Sequence, residues 1–234
     1  HAGFRAAFVF AALLPLAAAW AAWRVPRLAD SLPPLGAPAS FRSAFGLLRH
    51  THLRNLLLVN VAMAASWDAH TFTVPVVGHA RELSASAIGL VLGSFAVAST
   101  LVRLGISSFA QRIDEKRALR WAMTLATSVL LVYAWLPGVV GMMVGSALLG
   151  LALGSVQPMV LSMLHQGAPA GRQGQAMALR MLFTNAATIA MPVGFGFIAA
   201  ATSTAVPMGL MALLLLAARI PARRLSSEAD ADRV

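Results

Sequence analysis

Seven times between residues 4 and 218 the sequence returns to an apolar run, and each run is set off from the next by a polar stretch. Runs of about 20 residues, at 1.5 Å of helical rise each, match the hydrocarbon thickness of a bilayer. Inside lipid only a helix or a closed barrel satisfies its own backbone groups, and runs of this length are helical. The spacing therefore predicts an all-α, polytopic transmembrane helix bundle of seven spans, at residues 4–23, 56–77, 87–110, 121–135, 139–164, 176–200 and 206–218. Hydrophobic residues are 59% of the chain and charged ones 11%, with a mean hydropathy of +0.75, which excludes a soluble domain with a polar coat. The first run is longer than a signal-peptide core and is followed by Arg24 and Arg27 as by a stop-transfer flank, so it reads as a retained span, kinked at Pro15.

The formal charge of +10 does not point to nucleic acid, because the basic residues form short clusters between apolar runs, with no basic face interleaved with aromatics. Threading the spans back and forth places 15 of the 18 basic residues on one side, which the positive-inside rule makes cytoplasmic. The start of the chain is then outside and its end inside. The linker 25–54 carries ADSLPPLGAPAS, whose Pro, Gly and Ser argue against a packed element, and FRSAFGLLRH, which reads equally as a short amphipathic helix or as a loop with a helical turn. Residues 225–234 read as a disordered cytoplasmic tail. Ser84 is placed to cap the third span.

One span is unlike the others. LLLVNVAMAASWDAHTFTVPVV, residues 56–77, holds Asn60, Asp68 and His70. An ionised Asp near the middle of a span costs about 2.5–3.5 kcal/mol on insertion scales, so Asp68 needs a partner, a proton or water. It is the sole carboxylate within any of the seven runs. At 100° per residue Asp68 and His70 point about 200° apart, so a regular helix cannot aim both at one cavity. Asn60, Trp67 and Thr71 do share a face, which either lines a cavity with Asp68 at its edge or forms a helix contact. His70 is either a proton relay or a hydrogen-bonded member of the bundle. Gln157 and Asn185, on the fifth and sixth spans, are candidate cavity donors or interhelical glue.

Arg103, about 10 Å inside the far end of the third span, is expected to reach toward headgroups or toward the charged loop QRIDEKRALR, which contains Arg112, Asp114, Lys116 and Arg117. The pairs Gly89 with Gly93, Gly141 with Gly145 and Gly150 with Gly154 have small-xxx-small spacing and predict close helix packing. Pro158, Pro192, Gly194 and Gly196 interrupt helix regularity where hinges form. The chain has no Cys, no phosphate-binding G-x-x-x-x-G-K-[ST] loop, no H-E-x-x-H and no recognisable nucleophile set. It is read as neither an enzyme nor a holder of a metal or cofactor, and any work it does draws on a gradient.

A basic linker after one span, six further spans in close hairpins, and a charged loop after the second of those six resemble the second half of a major facilitator superfamily transporter. SSFAQRIDEK, residues 107–116, falls where that family has Gly, three residues, Asp, a basic residue, any residue, Gly and two basic residues. Arg112 and Lys116 fit, while Ser107, Gln111, Asp114 and Glu115 stand in the other positions. PVVGHARELSASAIGLVLGSFAVASTLVR, GLALGSVQP and PAGRQGQAMALR are similar to further family segments. The resemblance implies that residues 1–24 are a span of a missing N-terminal six-helix bundle, and that 55–224 are the C-terminal bundle. It further implies secondary transport of a small molecule, taken as proton-coupled efflux by alternating access across a bacterial inner membrane. The chain, which lacks an initiator Met, is then expected to be a piece of a longer one. The competing readings are a seven-span receptor and a nontransporting membrane scaffold. The retinal version of the receptor fails, because Lys116, the only Lys, sits in a loop rather than a span.

Overall fold

The computed structural model describes residues 2–24, 41–109, 114–202 and 206–231. These form eight α-helices and, among the described residues, no strand. They divide into two compact units, residues 1–38 and 39–234. The first contains α1, Ala2–Arg24, which is unbroken at Pro15, with the Arg24 guanidinium 4.7 Å from the centre of the Trp20 ring.

In the second unit α2, Phe41–Gly46, and a 3₁₀ turn, Leu47–Arg49, lead into α3, Thr51–Ala80. Leu47 is fully buried, and Phe45 meets Phe183 edge to face with ring centres 6.2 Å apart. The FRSAFGLLRH segment is thus helical and packed on the bundle, and the linker gives way to α3 at Thr51, before the expected boundary of 54. The remaining helices are α4, Ala85–Phe109; α5, Glu115–Val132, finished by a 3₁₀ turn, Tyr133–Trp135; α6, Gly138–Gly167; α7, Gln173–Ala201; and α8, Val206–Ala231.

Local chemistry sets the boundaries. The Ala87 amide donates to Ser84 Oγ at 3.2 Å at the start of α4, and the Arg117 amide donates to Asp114 Oδ1 at 3.1 Å at the start of α5. Gly138, at φ +57°, makes the sharp entry into α6 that a side chain would resist. Arg81 donates to the carbonyls of Ala134 and Leu136, which the end of the 3₁₀ turn leaves open. Two expectations are corrected here. α8 does not stop near Ala218 but continues to Ala231, so the segment 225–231 is helical rather than disordered. From Ala222 to Ala231 the sequence contains no Gly or Pro to end it. Helices α6 and α7 run continuously through Pro158 and Pro192.

Among the described residues, five helices are long and apolar enough to cross a membrane: 85–106, 115–135, 138–167, 173–199 and 206–225. α3, at 30 residues, is long enough but is not among them, because its polar side chains dilute its apolarity. The expected class, a polytopic all-helical bundle, is met, and five of the seven expected spans qualify among the described residues. α3 lies at the centre of this unit, packed against α6, α7 and α8, with Leu56, Val59, Ala65, Ala69 and Val74 fully buried. In lipid, helices associate through close packing and polar contacts rather than through the hydrophobic effect. The densest contact is α4 on α6. A Cβ at Gly154 would stand 2.7 Å from Ser99 Cα, and one at Gly150 would overlap the Phe95 carbonyl oxygen. Gly89 and Gly93, with the same spacing, have no such neighbour within 4 Å.

Candidate functional site

α3 and α7 bring two sets of polar residues, each spaced by four, onto facing stripes. Residues four apart lie on one face of a helix, so Asn60, Ala64 and Asp68 line up on α3, and Arg180, Thr184 and Thr188 line up on α7. The stripes meet in register. Asn60 Nδ2 donates to Thr184 Oγ1 at 3.0 Å, and Arg180 Nε donates to Asn60 Oδ1 at 3.3 Å. Two turns further along, Thr188 Oγ1 donates to Asp68 Oδ2 at 2.7 Å. Between these contacts lies a cavity of about 200 Å³, walled also by Met63, Trp67, Leu153, Val156 and Gln157. One acid and one base thus sit at opposite ends of a small polar chamber, about 12 Å apart along the helix axis by eight residues of rise. The arrangement resolves the need that Asp68 presents: its charge faces a hydroxyl donor and open space, not hydrocarbon.

His70 lies on the other side of α3. It is fully buried, its Nε2 is 2.9 Å from Ser146 Oγ, and its ring stacks on Phe95 with centres 4.5 Å apart. Ser146 Oγ is in turn 2.6 Å from the Tyr133 hydroxyl. This places the pair as the 200° argument requires, with the acid on the cavity and the imidazole in dry packing. Nδ1 of His70 has no hydrogen-bond partner among the described residues. Thr71 also stays out of the cavity, because its hydroxyl bonds back to the carbonyls of Trp67 and Asp68, both at 3.1 Å. Asn185 is exposed on α7, one residue past Thr184, and does not line the cavity either. Of the seven residues singled out as cavity candidates, Asn60, Trp67, Asp68 and Gln157 meet there, and His70, Thr71 and Asn185 do not.

Arg103 does not reach out toward headgroups. Its Nε approaches the Gly154 carbonyl at 3.4 Å and its guanidinium lies 5.3 Å from the centre of the Trp67 ring. Within a span, a carbonyl and a ring face are partners that lipid tails cannot supply. It therefore braces the cavity wall from behind. In that loop Asp114 caps α5, and the Arg117 amide beside it holds its carboxyl below the usual carboxylate value. Arg117 is exposed, Lys116 half-buried, and Arg112 falls outside the described residues. Cβ atoms at Gly194 and Gly196 would meet nothing within 4 Å, so these glycines do not serve a close contact within the unit.

The stripe of Arg180, Thr184 and Thr188 was missed as a unit by sequence reasoning, which singled out only Asn185 on this helix as a cavity donor. Its signal is the four-residue spacing of polar side chains inside an otherwise apolar helix. The same spacing relates Asn60 to Asp68, with Ala64 between them.

Fold and site together define an integral membrane protein with a charge-lined cavity between its helices. The family model of the Major Facilitator Superfamily matches residues 56–228, which covers α3 to α8, and the chain belongs to that superfamily of membrane transporters. A comparison with curated proteins found no match.

Proposed function

We propose that the protein is a secondary active transporter that moves a small polar molecule by alternating access, exchanging it outward for protons. The observation that carries this reading is the cavity in which Asp68, held by Thr188, stands opposite Arg180, held by Asn60. A carboxylate that faces a hydroxyl and a chamber large enough for water can take up and release a proton as access changes, and intramembrane acids of this kind mark proton and substrate paths. Trp67 and Gln157 supply a ring face and an amide for the cargo. Four of the five spans that qualify by apolarity are less than half buried, α7 least of all at 11%, which supports a second bundle closing the cavity from the open side. In this reading that bundle is N-terminal to the linker 25–54, and α1 is its last span. The basic loops put the end of the chain in the cytoplasm and its start outside, in a bacterial inner membrane. Bending at Pro158, Pro192, Gly194 and Gly196 accompanies the rocking of one bundle on the other, and the loop carrying Arg112, Asp114, Lys116 and Arg117 closes the cytoplasmic side.

The test is reconstitution of the protein in vesicles loaded with the pH dye pyranine and offered a panel of small organic cations, anions and zwitterions under an imposed pH gradient. At least one compound is expected to drive proton movement with the wild-type protein and not with Asp68→Asn. Proton-coupled movement that survives in Asp68→Asn removes this residue from the coupling path. Absence of movement with every class of compound in wild type overturns the transport reading itself.

A further inference from the structure

α5 carries a second stripe, on the opposite side of the unit from the polar chamber and sharing no residue with it. Arg117, Arg120, Trp121, Thr124 and Ser128 follow one another at intervals of three, one, three and four, which keeps them on one face over about 16 Å of axis. At its upper end Arg117, Arg120, Trp121 and Thr124, together with Arg219 of α8, enclose a recess of about 380 Å³. On the other flank of Trp121 begins a groove of about 500 Å³ that runs down between α4, α5 and α6, lined by Trp121, Leu125, Ser128, Leu151, Met159 and Ile106 among others. Trp121 is 70% exposed and borders both. Three arginines border the recess with their stems, and the groove is apolar.

Arg117, Arg120 and Arg219 border one recess, and their flexible stems can bring their guanidiniums to a shared anion there. No described side chain hydrogen-bonds to any of the three. Asp114 feels the charges of Arg117 and Arg120, but its Oδ1 already accepts the Arg117 amide hydrogen. The position is the boundary of the membrane, where α5 passes from its charged first turn into its apolar run, and where an indole ring is at home. A soluble anion would satisfy the arginines and leave the groove empty. A neutral lipid would fill the groove and leave the arginines unmatched.

We propose that this corner of the bundle binds one anionic phospholipid, its phosphodiester among Arg117, Arg120 and Arg219 and one acyl chain along the groove beside Trp121. Guanidiniums pair phosphate oxygens in fork geometry, and basic recesses between membrane helices are suited to anionic headgroups. The groove length along α5, about 15 Å from Ala118 to Ser128, is that of half a bilayer core. The site bridges α5 and α8, so an occupying lipid ties together two helices that also pack against each other.

Tryptophan quenching by brominated lipid reads this directly. The full chain is reconstituted in phosphatidylcholine vesicles containing about 10 mol% of either brominated phosphatidylglycerol or brominated phosphatidylcholine, and the Trp121 contribution is obtained by difference from Trp121→Phe. Phosphatidylglycerol is expected to quench Trp121 at least about twofold more than phosphatidylcholine at the same fraction. The excess should vanish in the double variant Arg120→Gln with Arg219→Gln, and persist in the corresponding double Lys variant, which keeps the charge. Wild type and both double variants are compared only after their unfolding transitions are matched. Equal quenching by the two lipids, or an excess that survives in the double Gln variant, overturns the proposal. Loss of the excess on adding about 20 mM inorganic phosphate at constant ionic strength also overturns it, because the site would then take a free anion rather than a lipid.

Discussion

Three glycine pairs share one spacing, yet they stand in different surroundings, and substitution by alanine separates them. At Gly154 a new Cβ would lie 2.7 Å from Ser99 Cα, where ordinary contact begins at 3.4 Å, so α4 must move away from α6 by about 0.7 Å. Backbone cannot turn aside as a flexible side chain does, and such overpacking costs about 1–3 kcal/mol. The same displacement loosens two bonds that cross this interface, Ser94 Oγ to the Met143 carbonyl at 3.0 Å and Arg103 Nε to the Gly154 carbonyl at 3.4 Å. Each is a neutral or charge-assisted bond of about 0.5–3 kcal/mol, and only part of each is lost. Alanine returns about 1 kcal/mol of helix propensity. The expected net effect of Gly154→Ala is a destabilisation of about 1–3 kcal/mol, whereas Gly93→Ala, with nothing within 4 Å of its Cβ, keeps the propensity gain and is neutral or stabilising. Reversible unfolding of the full chain in mixed dodecyl maltoside and dodecyl sulfate micelles, followed by helix content, measures both. If Gly154→Ala unfolds at the same detergent fraction as wild type, the α4–α6 contact is not set by backbone approach, and the packing account given above is wrong.

Thr188→Val keeps the shape of the side chain and removes the donor to Asp68; with a charge-assisted bond of about 1.5–3 kcal/mol gone, transport in the vesicle assay should fall about tenfold or more, and an unchanged rate would show that the bond is idle. Ser146→Ala takes away the hydroxyl that lies between His70 Nε2 and the Tyr133 hydroxyl, and micelle unfolding should report a loss of about 1–3 kcal/mol; no loss would mean that the buried pair finds other partners. Asp114 has its folded carboxyl held below the unfolded value of 3.8 by the Arg117 amide, so its stabilisation of the α5 start is present above that value and is lost as pH falls through the lower, folded one. Hydrogen exchange at the Arg117 amide, corrected for intrinsic rate, should therefore rise in that acid window in wild type but not in Asp114→Asn, which caps the helix without titrating; parallel behaviour of the two would refute the cap.

The bundle was legible because lipid leaves few choices. A run of about 20 apolar residues has to be a helix, and the arginines between runs mark where the chain leaves the membrane. The ends were less legible, since helices continue past the lipid for as long as nothing breaks them. α5 starts at Glu115 although its apolar run starts at Trp121, and α8 passes Arg219, Arg223 and Arg224 without stopping. Spacing alone could not rank the glycine pairs, because whether a glycine is needed depends on the neighbouring helix. The site divides the same way. Asp68 stood out as a lone acid among apolar residues, and helix geometry alone separated it from His70. Asn185 was singled out as the more polar side chain and Thr184 was not, but one residue is 100° of rotation, and only the register of α7 against α3 decides which of them meets Asn60.

That register also explains why the helix that carries Asn60, Asp68 and His70 within its apolar run occupies the centre. Polar side chains on α3 would be costly against lipid, so the helix that bears them is enclosed by α6, α7 and α8. Its two sides are then held by different forces. Toward α6, His70, Ser146 and Phe95 are sealed in dry packing, backed by the glycine contact of α4 on α6, which tolerates almost no separation. Toward α7, the contacts are hydrogen bonds that Asn60 donates to Thr184 and Asp68 accepts from Thr188, across a chamber that can hold water. Water can replace a hydrogen-bond partner at small cost, but it cannot replace backbone packed against backbone. A rearrangement that opens this protein therefore separates α7 from α3 more readily than α4 from α6, and the charged groups lie on the side that can yield.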